Sequence, residues 1–254
     1  MKKPEKIKVL RDVREVFCAH DVPLWLESGL LLGLIRDKDF IEWDNDFDFG
    51  TSARYLEKVS ALAKSFVGRG YSAYYSKSNN ILGLWKDGWS IDIPFWRIEN
   101  GRATMPLRYA ENKFGHALFY LEWVLLMTPA SAPDLDSYNK VKFAKFRSLL
   151  CRVTDWIPLR LRQSIVRISW RVARLTGNRR GLVTYPANFF EDTITASLNG
   201  VSFLIPRKSE EYLEYVYGST WRIPMRDFDF MQDQEGIEKQ TEQYDGQWRY
   251  LKDR

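Results

Sequence analysis

Three aspartates at alternate positions are the residues whose type and spacing point most directly to chemistry. Asp44, Asp46 and Asp48 lie in IEWDNDFDF, which predicts a strand over residues 41–49 that ends at Gly50. Side chains at positions i, i+2 and i+4 of a strand share one face. Neighbouring carboxylates repel one another unless a cation neutralises them. We therefore expect Mg²⁺, with Mn²⁺ as an alternative ion, because hard cations bind carboxylate oxygens together with substrate phosphate.

A fourth carboxylate interrupts a strand whose other face is apolar. WSIDIPFWRI, residues 89–98, alternates in a way that predicts a strand with Asp92 opposite the apolar face. An unpaired carboxylate in such surroundings is costly. One interpretation is that Asp92 pairs with an arginine and that the 44–48 stretch is a solvated strand end. Taken with the motif that precedes them, the residues favour a catalytic metal site of Asp46, Asp48 and Asp92. Asp92 would bind the ion or accept a proton from the acceptor hydroxyl.

The preceding motif is a serine-glycine pair between a predicted short strand and a predicted short helix. PLWLES, residues 23–28, predicts the strand, and the apolar run after Gly29 predicts a buried helix. A glycine at this junction lets the backbone approach a ligand, and a helix amino terminus presents N–H groups to phosphate. We expect Ser28, Gly29, Arg36 and Asp44 to bind the substrate. The alternative for Ser28-Gly29 is an ordinary strand-to-helix turn.

Further elements must hold these residues in place. The other predicted elements include helices over residues 6–20, 52–67, 114–127 and 209–217 and strands over residues 71–76, 80–86 and 102–106. Apolar residues at helical spacing define the helices, and Ser52 is a suitable amino-terminal cap. Asn100-Gly101 predicts a two-residue hairpin turn.

Residues 26–50 resemble the signature of the LicD/fukutin family. The matching residues are Ser28, Gly29, Leu31, Leu32, Gly33, Arg36, Phe40, Ile41, Trp43, Asp44, Asp46 and Asp48. Residues 91–93 are similar to the strand that carries the family's third carboxylate, and residues 199–224 are similar to its carboxy-terminal pattern. One departure is Glu42, where the family usually has proline before the tryptophan. It removes no ligand.

The resemblance implies an α+β fold of the nucleotidyltransferase, DNA-polymerase-β-like type, with a mixed sheet and flanking helices. The charge and spacing of the middle of the chain add a basic helical insertion to this expectation. Residues 1–130 would form the catalytic core, residues 131–185 the basic amphipathic segment, and residues 186–254 would complete the domain. It further implies transfer of phosphocholine or a polyol phosphate from a CDP-activated donor to a sugar hydroxyl of a cell-surface glycan or its lipid-linked precursor. The alternatives are a nucleotidyltransferase that attaches NMP to a small molecule or RNA, and an inactive membrane adaptor.

A basic segment separates the two motif blocks. Residues 140–180 contain twelve Lys or Arg and one acid, Asp155, although the whole chain carries only +5. Helical spacing between residues 158 and 177 predicts a basic amphipathic helix. The helix either packs on the core with a solvated basic face or lies on an anionic membrane. In the membrane interpretation the contacts are Arg167, Trp170, Arg171 and Arg174. No nucleic-acid-binding module accompanies the charge, which argues against nucleic acid.

The bulk composition fits one globular domain. The chain has 254 residues, of which 45% are apolar and 28% charged. Two cysteines cannot form a disulfide framework, and two histidines without a Cys/His cluster argue against zinc. Because the residues MKKPEKIKVL contain no apolar stretch and no run of about 18 apolar residues occurs, we expect neither a cleaved signal peptide nor a membrane-spanning helix. We expect a cytoplasmic protein, peripheral on the inner face of the membrane if the basic helix binds lipid.

Overall fold

The structure is a computed structural model that describes five stretches of the chain. These stretches are residues 3–44, 46–76, 80–109, 156–174 and 179–226, together with five positions between 114 and 125. Residues 126–155, which precede the basic helix, lie outside the described residues, as do residues 227–254.

Helices and strands alternate irregularly along the chain. The helices are Lys3–Ala19 (α1), Ser28–Leu32 (α2), Val59–Val67 (α3), Leu159–Arg174 (α4), Asn188–Glu191 (α5) and Ser209–Tyr217 (α6). The strands are Trp25–Leu26 (β1), Asp46–Ser52 (β2), Ser72–Ser76 (β3), Ile81–Lys86 (β4), Trp89–Glu99 (β5), Arg102–Tyr109 (β6), Arg179–Pro186 (β7), Thr193–Leu198 (β8) and Val201–Pro206 (β9). A π-helical turn over Gly33–Asp37 continues α2, and a 3-10 segment over Ala53–Lys58 leads into α3.

The nine strands of the described residues form one mixed sheet. Its order is β3-β4-β5-β2-β1-β9-β8, and β6 pairs with both β5 and β7. β2 runs parallel to β5 and β1 runs parallel to β9, whereas the other neighbours are antiparallel. A mixed sheet with flanking helices confirms the predicted α+β class. None of the described helices is long and apolar enough to cross a bilayer.

The hydrophobic core lies against the face of the sheet that the aspartates do not occupy. Phe47 and Phe49 of β2 and Ile91 and Ile93 of β5 are all buried, as the alternation of the two strands requires. α1 covers this core with its predicted apolar stripe, which is Val9, Leu10, Val13, Val16 and Phe17. Burial of one face of β2 and β5 therefore leaves their other face for the carboxylates.

The first aspartate strand begins later than predicted. Residues 41–44 form a turn closed by the Asp44 amide, which donates to the Ile41 carbonyl at 3.3 Å, and β2 begins only at Asp46. Gly50 does not end β2 but lies inside it. A Cβ there would overlap Glu27 Oε1 and Trp25 Nε1, so Gly50 is needed for close approach to β1.

The predicted basic helical segment, residues 131–185, includes a strand. α4 accounts for its central part, but β7 pairs with β6 over eight residues, from Arg179 opposite Tyr109 to Pro186 opposite Arg102. The prediction was wrong here because Arg179 and Arg180 extend the charge of the helix without sharing its structure. β7 thus belongs to the sheet.

Gly33 offers a test of the packing that positions the aspartate turn. A Cβ on Gly33 would lie 2.5 Å from the Asp39 carbonyl oxygen and 3.2 Å from the Ile41 nitrogen, both backbone atoms. We predict that Gly33→Ala lowers the free energy of unfolding by about 1–3 kcal/mol, since the backbone must shift to relieve the overlap. Denaturant unfolding measures this.

Gly68→Ala is the matched control for the Gly33 substitution. Gly68 has a helical φ of −61°, and a Cβ there meets neighbours no closer than 3.6 Å. Its substitution should be neutral or stabilise by up to about 1 kcal/mol. Equal stability of the two variants would contradict the close packing of Gly33 on the 39–41 backbone.

Candidate active site

A cleft of about 670 Å³ lies over the amino-terminal half of β2 and β5. Its volume is in the range of small-molecule binding sites. All seven residues predicted to act in catalysis, metal binding or substrate binding line it: Ser28, Gly29, Arg36, Asp44, Asp46, Asp48 and Asp92. The structure therefore brings together residues that are up to 64 positions apart in the chain.

The parallel pairing of β2 and β5 places two carboxylates side by side. Asp48 is the direct neighbour of Asp92 in the register, and Asp46 is the neighbour of Ser90. Adjacent strands lie about 4.8 Å apart, so the Asp48 and Asp92 side chains leave the sheet on the same face at close range. Asp46 lies on the same face, two residues before Asp48, and is exposed.

Asp44 reaches the same cleft from the turn before β2. The backbone of Gly29 approaches it so closely that a Cβ on Gly29 would overlap Asp44 Oδ2. Lys6 of α1 stabilises the turn, because its Nζ donates to the Asp44 carbonyl at 3.0 Å and to the Ile41 carbonyl at 3.4 Å. The predicted set of three aspartates on one strand face is thus formed by two strand residues and one turn residue.

The electrostatics of the cleft favour protonated carboxyl groups. Burial, followed by the hydrogen bond to the Asp46 side chain and the Asp46 charge, raises the pKa of Asp44 to about 7. Burial raises the pKa of Asp92 to about 6, with a further contribution from Asp46. Burial and the charges of Asp46, Asp92, Asp44 and Glu27 raise the pKa of Asp48 well above its ordinary value. The cleft accordingly favours binding of positive charge.

Glu27 is a buried carboxyl group of the cleft that the sequence reasoning missed. It lies between β1 and α2, where it accepts a hydrogen bond from Trp25 Nε1 at 2.5 Å. Trp96 Nε1 is also directed towards this carboxyl group without reaching hydrogen-bond geometry. Burial raises the pKa of Glu27 to about 8, against the influence of the two indoles. Its position in the sequence could have identified it, because Glu27 is an acidic residue that follows an apolar stretch and directly precedes Ser28-Gly29.

Lys6 is a second missed residue. It is buried beside the acidic turn, with its ammonium group 5.0 Å from the centre of the Trp89 ring and 5.3 Å from that of Phe40. Burial lowers its pKa, and the negative charge of Asp44 acts in the opposite direction. Its position in the sequence could have predicted its burial. Lys6 precedes Val9 and Leu10 by three and four residues, so it lies on the apolar stripe of α1.

The Ser28-Gly29 turn is conformationally constrained. Ser28 has a positive φ of 42°, in a region that residues other than glycine rarely adopt. Its backbone lies beside the hydroxyl of Tyr212 in α6, in the carboxy-terminal part of the domain. The hydroxyl of Ser28 and the close-packed Gly29 remain as its contributions to the cleft. Strained backbone that is held by its surroundings is frequent at functional sites.

Arg36 lines the cleft and is already paired. Its Nε and Nη2 donate to the two carboxylate oxygens of Asp37, both at 2.8 Å. The guanidinium side chain is largely buried, whereas Asp37 is more exposed. An anionic ligand would therefore have to share Arg36 with Asp37, which the sequence reasoning did not anticipate.

Aromatic and apolar side chains form the remaining wall. Trp96 of β5 stacks on Tyr185 of β7 with ring centres 5.0 Å apart, and Arg226 lies over the Trp43 ring at 5.1 Å. The other members of this wall are Ile81, Pro94, Met105, Tyr217, Trp221 and Ile223. The wall is suited to a ring-containing ligand, because aromatic side chains contribute apolar area and flat faces. Its residues come from distant segments, so spacing alone offered no signal.

The donor atoms of the cleft suit a hard cation. They are carboxylate oxygens, and Mg²⁺ characteristically takes one or two carboxylates together with substrate phosphates. Among the described residues, no three or more His, Cys, Asp or Glu side chains converge in a way that could hold a metal ion. The three-aspartate ligand set, Asp46, Asp48 and Asp92, therefore stays a prediction. A pair of carboxylates completed by phosphate needs no third protein ligand.

The four predicted membrane contacts lie elsewhere, on α4. Arg167, Trp170, Arg171 and Arg174 are all within this helix. Of their side chains only that of Arg171 is among those described, and it is exposed.

Comparison with known families agrees with the resemblance seen in the sequence. Residues 21–108 match the family model for "LicD/FKTN/FKRP, nucleotidyltransferase domain". This segment contains the Ser28-Gly29 turn and all four aspartates. With its mixed sheet and acidic cleft, the chain carries a nucleotidyltransferase-type domain. The match covers residues 21–108, which are 88 of the 254 residues, and this similarity to the LicD family indicates a transferase of the phosphotransferase or nucleotidyltransferase type.

Two Rickettsia proteins are similar to part of the chain. RP689 of Rickettsia prowazekii (strain Madrid E) is 28% identical over 74 residues, which are 29% of this chain and 28% of that protein. RT0683 of Rickettsia typhi (strain ATCC VR-144 / Wilmington) is 28% identical over 76 residues, 30% of this chain and 25% of that protein. The aligned segment thus spans about a quarter of the length of each relative.

Two solved structures share limited similarity. The antibiotic-resistance factor ANT(2'')-Ia has 10% identity and a TM-score of 0.34, covering 69% of this chain and 98% of its own. The lincosamide antibiotic adenylyltransferase LnuA has 18% identity and a TM-score of 0.31, and the match covers 44% of this chain and 66% of the LnuA chain. Scores this low carry no argument, and the fold class rests on the strands and helices themselves.

The raised carboxyl pKa values predict a particular pH dependence of stability in metal-free protein. From about pH 4, where these acids ionise in the unfolded chain, up to their folded pKa values of about 6–8, the folded state holds protons that the unfolded state has released. Stability therefore falls as pH rises through this window. We predict that the Tm in chelator is lower at pH 8 than at pH 5 by at least about 3 °C.

A double substitution provides the control for this pH profile. Asp44→Asn with Asp92→Asn removes two of the titrating groups and should flatten the decline. A metal-free Tm that rises steadily between pH 5 and pH 8 would contradict the electrostatic description of the cleft.

Proposed function

We propose that the chain transfers a phospho-substituent, phosphocholine or a polyol phosphate, from a CDP-activated donor to a sugar hydroxyl of a cell-surface glycan or its lipid-linked precursor. The observation that carries the proposal is the acidic cleft itself. Asp44, Asp46, Asp48 and Asp92 meet there, inside the segment that matches the LicD family model. The carboxyl pKa values of Asp44, Asp48 and Asp92 are raised.

The residues of the cleft divide into two groups in this proposal. The carboxylates Asp46 and Asp48, with Asp92 as a further candidate, would hold Mg²⁺ or Mn²⁺. When bound, the ion supplies positive charge to the donor diphosphate. The Ser28 hydroxyl, the Gly29 backbone and Arg36 would bind phosphate oxygens, since charge-assisted hydrogen bonds from arginine suit phosphate. The aromatic wall would bind the rings of the cytosine base or the acceptor sugar.

The proposed reaction is a substitution at phosphorus. The acceptor hydroxyl oxygen forms a bond to the phosphorus that carries the transferred group, and the bond from that phosphorus to the CMP oxygen breaks. CMP leaves and the hydroxyl proton passes to a carboxylate. Asp92 is suited to accept it, because a pKa of about 6 leaves it largely ionised at neutral pH while keeping it close to the operating range of a general base.

Product analysis separates this proposal from its rival. The purified chain would be screened by thermal shift against CDP-choline, CDP-ribitol, CDP-glycerol and CTP with Mg²⁺, because a ligand that binds only the folded state raises its stability. Release of CMP from a stabilising donor supports the proposal. Release of pyrophosphate from CTP or another NTP supports a nucleotidyltransferase, which the description of the family also allows. Absence of metal binding in calorimetry would instead support an inactive adaptor.

Substitution of the strand aspartates should abolish turnover without unfolding the protein. We predict that Asp46→Asn and Asp48→Asn each lower the rate of CMP release more than tenfold. Their metal-free Tm at pH 8 should equal or exceed that of the wild type, because one member of a repulsive cluster has lost its charge. Asp192→Asn, which changes an exposed aspartate away from the cleft, is the control. Activity within tenfold of wild type in either variant would remove that residue from the mechanism.

Donor binding should depend on both the metal and Arg36. In chelator the diphosphate meets uncompensated carboxylates, so we predict that CDP affinity collapses. With Mg²⁺, Arg36→Ala should weaken CDP binding by about 1.5–3 kcal/mol, the contribution of a charge-assisted hydrogen bond. Calorimetric titration measures both effects.

Arg207→Ala is the matched control for the Arg36 substitution. Arg207 also pairs with an aspartate at 2.8 Å, Asp192, but does not line the cleft. Its substitution should leave CDP binding unchanged. Equal CDP affinity in chelator and in Mg²⁺ would contradict the metal-assisted binding of the donor.

A further inference from the structure

The apolar side of α4 faces away from the protein. Leu161, Ile168 and Val172 are 52%, 58% and 45% exposed. Their spacing of seven and four residues places them along one side of the helix. Trp156, three residues before α4, is 83% exposed. We call Trp156, Leu161, Ile168 and Val172 the outer stripe.

The inner side of α4 is partly polar. Arg162 is only 7% exposed, and its Nη1 donates to the Leu125 carbonyl at 3.3 Å. A helix that packs on a core normally buries its apolar stripe and exposes its arginines. α4 shows the reverse arrangement at these positions. The interpretation that the helix packs on the core with a solvated basic face does not describe the outer stripe.

Positive charge flanks the outer stripe. Arg160 and Arg171 are exposed, and Arg171 follows Ile168 by three residues, so the two are neighbours on the helix surface. The sequence has no acidic residue from Trp156 to Phe190. No carboxylate of this stretch is therefore available to neutralise the two arginines.

We propose that the outer stripe and its flanking arginines bind the surface of an anionic lipid bilayer, with α4 lying in the plane of the interface. The apolar side chains would enter the boundary between headgroups and acyl chains, and Arg160 and Arg171 would contact lipid phosphates. Charge complementarity selects this partner: a nucleic acid offers the phosphates but no apolar phase for the stripe. The proposal rests on α4 alone and does not depend on the transferase activity.

The test is co-sedimentation of the full chain with vesicles. Wild type should bind vesicles that contain about one third phosphatidylserine at least tenfold more tightly than pure phosphatidylcholine vesicles. Raising the salt from about 0.15 M to about 1 M should release at least part of the bound protein, because screening shortens the reach of the charges. Binding that does not distinguish the two vesicle types would overturn the proposal.

Two variants separate the apolar and the basic contributions. Leu161→Ser with Ile168→Ser and Val172→Ser, and Arg160→Glu with Arg171→Glu, should each lower the partition into anionic vesicles at least tenfold. Lys8→Glu with Arg11→Glu makes the same change in charge on exposed positions of α1 and should lower it less than threefold. Sedimentation of either α4 variant at the wild-type level would overturn the proposal.

Other occupants of the outer stripe give distinct results. If the stripe contacts another part of this chain, the serine variant will lose several degrees of Tm in the absence of lipid. If it contacts a second copy, light scattering will show a wild-type dimer that the serine variant lacks. Competition by RNA against vesicles at equal phosphate concentration would indicate a nucleic-acid surface. Each of these outcomes would overturn the membrane proposal, whereas unchanged stability and oligomeric state with reduced lipid binding support it.

Discussion

Repulsion among carboxylates, imposed by the parallel pairing of β2 and β5, is the constraint on which the cleft depends. The register that puts Phe47 opposite Ile91 in the core also puts Asp48 opposite Asp92 on the other face. The core therefore cannot form without bringing the two acids together. In metal-free protein, burial of the two acids, together with repulsion from neighbouring carboxylates, raises their pKa values, so that the carboxyl groups bind protons in place of a cation. The pairing of β2 with β5 thus determines both the packing of the core and the position of the acids in the cleft.

The surroundings of the cleft hold this arrangement without neutralising it fully. Lys6 supplies positive charge to the acidic turn, yet its hydrogen bonds go to the carbonyls of Ile41 and Asp44, so it positions the turn. Glu27 adds a further acid below the site and is held by Trp25, with Gly50 small enough to admit both side chains. These contacts fix the backbone and leave the Asp46, Asp48 and Asp92 carboxyl groups directed to the cleft.

The sequence allowed the central residues of the site to be predicted because their information is local. Alternation along β2 and β5 was enough to place Asp46, Asp48 and Asp92 on polar strand faces, and Ser28-Gly29 marked the turn that meets them. Asp44 was assigned to the strand because alternation continues through it, whereas the turn that displaces it depends on Lys6, some forty residues away in the chain. The aromatic wall and the pairing of β7 with β6 were also not predictable, since they depend on contacts between distant segments.

The same limit applies to α4, where periodicity identifies an amphipathic helix but not the direction in which its apolar side points. Hydrophobic periodicity has two physical causes: burial against the protein's own core and burial in another apolar phase. Only the exposure of Leu161 and Ile168, together with the inward position of Arg162, distinguishes them. The cleft and the helix then have different partners. The acidic cleft attracts cations, whereas the basic helix, with its apolar side chains, attracts anionic surfaces. An anionic surface bound to α4 therefore need not compete with a donor that requires a cation to enter the cleft.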